Sequence, residues 1–82
     1  MLQPFLFLEV FMNKLREIRV VKRVTQFQLR LLTGIHQSKI SLIENGLVEP
    51  REDERKRLAK ALHVKVEEIW VSDNDKEAIK KD

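Results

Sequence analysis

The stretch GIHQSKISLIENG, Gly34 to Gly46, holds both of the chain's glycines and one short amphipathic segment between them. Ile35, Ile40 and Ile43 recur where a helix turns its inner face to a core, and Gln37, Ser38, Lys39 and Ser41 fill the positions between. A glycine at each end supplies the left-handed residue that stops one helix before the stretch and another at its close. The segment therefore reads as a short helix with an apolar inner face. Its outer face is built from hydrogen-bonding side chains.

Outward from this stretch the chain is helical throughout. On the N-terminal side, Thr25 is a good N-cap for a helix through TQFQLRLLTG, and Met12 to Lys22 reads as a first helix with Leu15 and Ile18 at i, i+3. On the C-terminal side, LVEP is a loop closed by Pro50. A further helix is expected from about Glu52 to Leu62, with Leu58, Ala59 and Leu62 inward, and a short last one starts near Lys65, anchored by Val66, Ile69 and Trp70. The expected class is all-α. Residues 1–11 form an apolar N-terminal arm, 12–71 the domain and 72–82 a polar C-terminal tail.

Composition narrows the chemistry. Eighty-two residues make one small domain, able to bury only roughly 60–65% of its unfolded surface. There is no cysteine, hence no disulfide framework and no cysteine-based zinc site. His36 and His63 lie far apart, so no metal and no other cofactor is expected. The net charge is +3, and it is uneven: residues 1–48 carry seven Lys/Arg against three Asp/Glu, residues 49–82 nine against ten. The basic excess falls in the half containing the quoted stretch, which points to a polyanionic partner. No apolar run approaches the ~18 residues of a membrane span. The opening MLQPFLFLEVF lacks the basic start and small-residue cleavage site of a signal peptide, so a cytoplasmic location is expected. Neither a nucleophile–base pairing nor a phosphate-binding glycine loop suggests an enzyme.

Two short helices joined by a glycine-containing turn, the second with a polar outer face, form the helix-turn-helix layout. The residues LREIR, TQ, Leu29, TGI, KISLIENG, Pro50, LAKAL and EEIW stand in the order and spacing of one family. The chain from Leu15 to Trp70 resembles the lambda-repressor-like, Cro/C1-type (XRE) helix-turn-helix family, which has five helices. The resemblance implies a sequence-specific DNA-binding regulator, bound to operator DNA most simply as a symmetric homodimer.

It also implies roles for particular residues. His36, Gln37, Ser38 and Leu42 are the expected base readers: glutamine pairs bidentately with adenine, serine suits several base edges, and leucine touches a thymine methyl. Gln26, Lys39, Ser41 and Asn45 are the expected phosphate contacts. Arg19 and Glu44 match a structural ion pair of the family. The cluster Arg55, Lys56, Arg57 and Lys60 is expected to be a solvated helix face.

Several departures from the family pattern stand out. Arg30 occupies a position where the family has alanine, so either it snorkels outward or the angle between the two helices differs slightly, and Arg23 and His63 stand where the family ends helices with glycine. Phe27 and Leu31 fall opposite Leu29 on a face the family keeps charged. They are the expected docking or dimer surface for the arm residues Phe5, Phe7 and Phe11. The competing reading is that Met12 is the true start of the protein. Two alternatives to the regulator stay open. One is an antitoxin-type DNA-binding protein that also sequesters a toxin or another protein. The other is a protein-interaction module without DNA binding.

Overall fold

In the computed structural model, which describes residues 12–71, five helices follow one another: α1 (Leu15–Val21), α2 (Gln26–Thr33), α3 (Gln37–Glu44), α4 (Glu52–Ala61) and α5 (Val66–Ile69). The described residues contain no strand. The arm residues Phe5, Phe7 and Phe11, and the tail from residue 72, lie outside them. Among the described residues no helix is long and apolar enough to cross a membrane.

Several helix ends have local causes. Thr25 opens α2 with a full capping box: its hydroxyl accepts from the Gln28 N–H at 3.0 Å, and its own N–H donates to Gln28 Oε1 at 2.8 Å. Gly34 closes α2 in the left-handed region at φ 78°, and Gly46 follows α3 at φ 74°. Arg23 and His63 adopt the same region at φ 60° and 59°, a conformation that costs a side-chain-bearing residue roughly 1–2 kcal/mol. Both turns are held by backbone bonds, Val24 N–H to Arg19 O and Val64 N–H to Ala59 O, each at 3.0 Å. Glu52, Asp53 and Glu54 fill the first turn of α4 and Lys60 its last, the charge order that suits the helix dipole.

The core is one cluster. Leu15, Leu29, Ile35, Ile40, Ile43, Leu58, Ala59, Leu62 and Ile69 are buried, with Ile18, Val24, Val48, Val64 and Val66 packed around them. Helix α2 packs on both α3 and α4, α1 packs on α3, and α5 packs on α4. Every helix thus delivers at least one fully or nearly fully buried apolar side chain to the same centre.

Two expectations need correction. Helix α1 starts at Leu15 and not at Met12, because Asn13 holds the lead-in outside the helix: its Oδ1 accepts from the Leu15 N–H and its Nδ2 donates to Ile43 O, both at 2.9 Å. Lys14 N–H meanwhile bonds Ile69 O at 2.9 Å, so the lead-in is spent tying α1 to α3 and α5. Trp70, half-buried, packs against the core as expected, and the Arg55 guanidinium lies 5.4 Å from its ring centroid, which uses the ring face as a cation platform. Nor is the basic cluster on α4 wholly a solvated face. Arg57 Nη1 donates to Thr33 O at 2.8 Å, closing the C-terminus of α2, and Arg55 Nη2 reaches Glu49 at 2.7 Å.

Candidate nucleic-acid interface

Helix α3 presents two faces of opposite character. Ile40 and Ile43 are fully buried. Gln37, Ser41, His36, Ser38 and Asn45 are half-buried or exposed, and Leu42 is 40% exposed. At about 100° per residue, positions 37, 38, 41, 42 and 45 form one continuous outer stripe. That stripe faces away from α2 and α1, which pack on the other side of α3.

The start of the stripe is organised by a histidine. His36 precedes α3 as its N-cap, and its Nδ1 accepts from the Ser38 N–H at 3.1 Å. The Ser38 hydroxyl lies 2.9 Å from the same nitrogen. The pair fixes the first turn without using Gln37, whose side-chain amide keeps its donors and acceptor for a partner. At the far end Asn45 Nδ2 donates to Ser41 O at 2.9 Å, which closes the last turn.

The orientation of α3 is set by ionic contacts. Arg19 on α1 grips Glu44 with two parallel bonds, Nε to Oε2 and Nη2 to Oε1, the latter at 3.1 Å. The Glu44 side chain is 3% and the Arg19 side chain 12% exposed. Arg19 Nη1 also donates to Val24 O at 2.9 Å, and Gln26 Nε2 donates to Glu44 Oε1 at 3.0 Å. One carboxylate therefore joins α1, the start of α2 and the end of α3. Gln26 spends one amide hydrogen there and keeps a second.

A second pair acts from α4. Lys39 Nζ lies 2.8 Å from Glu54 Oε2, and Glu54 Oε1 accepts from the Arg51 N–H at 2.8 Å. Glu54 is 4% exposed. Burial raises its pKa, but the Lys39 ammonium and the Arg51 N–H outweigh it and hold the carboxyl below its ordinary range. Lys39 is thus an internal tether as well as a surface cation. An ammonium has three hydrogens, so the bond to Glu54 leaves two for another acceptor.

Sequence reasoning did not find Glu54, Asn13, Thr33 or Arg57. For Glu54 a faint signal existed, since it stands three residues after the N-cap Arg51, the capping-box position. The cap itself is not a serine or threonine, so the pattern is incomplete. Thr33, buried, donates to Leu29 O at 2.7 Å and accepts from the Ile35 N–H at 3.1 Å, which stiffens the turn before α3. On the outer side of α2, Phe27 is 52% and Leu31 67% exposed, and Arg30 points into solvent.

The comparisons agree with this geometry. The helix-turn-helix family matches residues 15–69. Among solved structures the chain is similar to the restriction-modification controller protein C.AhdI from Aeromonas hydrophila, with 31% sequence identity and a TM-score of 0.65 over 67% of this chain and 83% of that one. No curated protein sequence matches it.

Proposed function

This chain belongs to the Cro/C1-type helix-turn-helix family, and from that premise we propose that it reads operator DNA with α3 in the major groove, as a symmetric dimer. It is a DNA-binding transcription regulator and duplex DNA is its partner. The finer reading rests on one observation: the outer stripe of α3 is polar, accessible and rigidly held from behind by Glu44 and Glu54. Pre-organisation of that kind lets binding energy go to contacts instead of ordering the helix.

Within this reading Gln37 and Ser38 contact base edges, Leu42 touches a thymine methyl, and His36 stands where the helix enters the groove. Gln26 at the start of α2, with Ser41 and Asn45 on the stripe itself, contacts the phosphate backbones. Lys39 joins them through the hydrogens that Glu54 leaves free. Similarity to C.AhdI, a restriction-modification controller protein, supports a small regulator that acts by occupying a control site. The activity is binding, not catalysis.

Selection of sites from random duplex DNA tests the proposal. Expected is a consensus of two inverted half-sites, about 10–10.5 base pairs apart centre to centre or a multiple of that spacing. A single unpaired half-site contradicts the dimer, and no enrichment contradicts sequence reading altogether.

A further inference from the structure

The regulator reading leaves an apolar groove on the outer side of α1 unused. Ile18, Val20 and Val21 form one side, and His63 and Val64 of the α4–α5 turn the other, of an open groove of about 890 Å³ edged by Arg16, Glu17, Lys22 and Glu68. Val20 is 55% and Val21 78% exposed. Two branched aliphatic side chains at the end of one short helix gain nothing from solvent, and a volume of this order accommodates a substantial apolar body.

The groove also lies where the rest of the chain arrives. Glu17 lines it and lines a neighbouring hollow together with Met12, Ile69 and Val71. Residues 1–11 therefore join the described domain at that hollow, which shares Glu17 with the groove. They include Leu2, Phe5, Leu6, Phe7, Leu8, Val10 and Phe11, with Glu9 the single charged side chain. From Glu17 to Val21 is four helical residues, roughly 6 Å, a distance that two extended residues span at about 3.3 Å each. Among the described residues Arg16 and Lys22, both on the rim, have no ion-pair partner, and a carboxylate such as Glu9 suits either.

We propose that residues 5–11 occupy this groove in their own chain, covering Val20, Val21 and Val64. The outer face of α2, with Phe27 and Leu31, is the rival seat. It begins beyond the turn that follows α1, and the main packing of α1 is on α3. The rival occupant is a second copy of the chain. A segment tethered at the neighbouring hollow is present at an effective concentration on the order of millimolar, which a second copy at ordinary concentrations does not match. The inference is independent of whether α3 reads DNA.

The chain has no cysteine, so introduced pairs report without interference. Phe7→Cys is combined with Val21→Cys in one full-length variant and with Leu31→Cys in another; both partner positions are solvent-exposed, so neither substitution opens the core. With the chain unfolded in denaturant the two loops close at comparable rates, whereas in the folded protein a seated segment forms the intrachain disulfide with Val21→Cys about tenfold faster or more. Comparable rates, a faster reaction with Leu31→Cys, or disulfides joining two chains would overturn the proposal. Amide exchange in the unsubstituted protein provides a second reading. Slowing of residues 5–11 by about tenfold or more relative to an unfolded peptide is expected, and peptide-like rates overturn it.

Discussion

Lys39 and Glu54 form an ion pair between the outer helix α3 and the first turn of α4, at 2.8 Å, with the carboxylate side 6% and the lysine side 35% exposed. The asymmetry decides how the pair behaves. Its anion is inside the protein and cannot find water if its partner leaves. Its cation stands at the boundary, able to serve the fold and a phosphate together.

Lys39→Ala should therefore cost stability as well as affinity. Exposed pairs contribute roughly 0.2–1 kcal/mol and one-sided removal from buried pairs costs roughly 3–5 kcal/mol. A half-exposed lysine on a buried glutamate falls between, at about 2 kcal/mol by denaturant unfolding. Binding to all DNA sequences should weaken alike, and the slope of log affinity against log salt should fall by about one. A variant with unchanged stability contradicts the tether. A changed base preference contradicts the phosphate role.

The same carboxylate sets a pH dependence. Glu54 titrates below its ordinary value of 4.5 in the folded protein. A depressed folded pKa means the unfolded chain takes up the proton first, so the contribution is fully present above about pH 4.5 and is lost as pH falls through the folded value. Glu54→Gln removes this contribution at every pH. The stability difference between the parent and Glu54→Gln should therefore be larger at pH 7 than at about pH 3. An equal difference at both contradicts the assignment.

Glu44→Ala should be the more damaging change. It leaves the Arg19 guanidinium, 12% exposed, without its counter-ion and takes a partner from Gln26. Loss of stability approaching the ~3–5 kcal/mol of a buried pair broken from one side is expected. Because Glu44 fixes the end of α3, operator affinity should drop more than binding to random DNA. An unaffected denaturation midpoint would show that the pair does not hold the helix.

Gln37→Ala isolates base reading from folding. Gln37 makes no internal side-chain bond, so stability should stay within about 0.5 kcal/mol. Preference at one base position per half-site should relax, with a loss of roughly 1–3 kcal/mol against the parent consensus. An unchanged consensus removes Gln37 from the reading set.

What could be read in advance follows from how local each cause is. Thr25, Gly34 and Gly46 act within a few residues, so the boundaries of α2 and α3 were legible from the letters alone. The inward period of Ile40, Ile43, Leu58 and Leu62 was legible for the same reason. The start of α1 was not, because Asn13 takes its second partner from Ile43, thirty residues away. Lys39 with Glu54 and Arg57 with Thr33, fifteen and twenty-four residues apart, were equally hidden. Each is a charged side chain whose role appears only once two helices are side by side. A basic residue on an outer position looked like a surface cation until its buried partner was found.

The central claim is that α3 reads sequence while flanking groups hold phosphates, and a paired salt titration tests it most directly. Affinity for a selected operator and for a random duplex of equal length is measured across the same salt series. The account predicts steep salt dependence for both, set by counterion release, with the operator bound ~10³-fold tighter or more across the series. Two superimposed lines would mean a non-specific polycation, and no binding to either duplex at low salt would contradict the DNA-binding account outright.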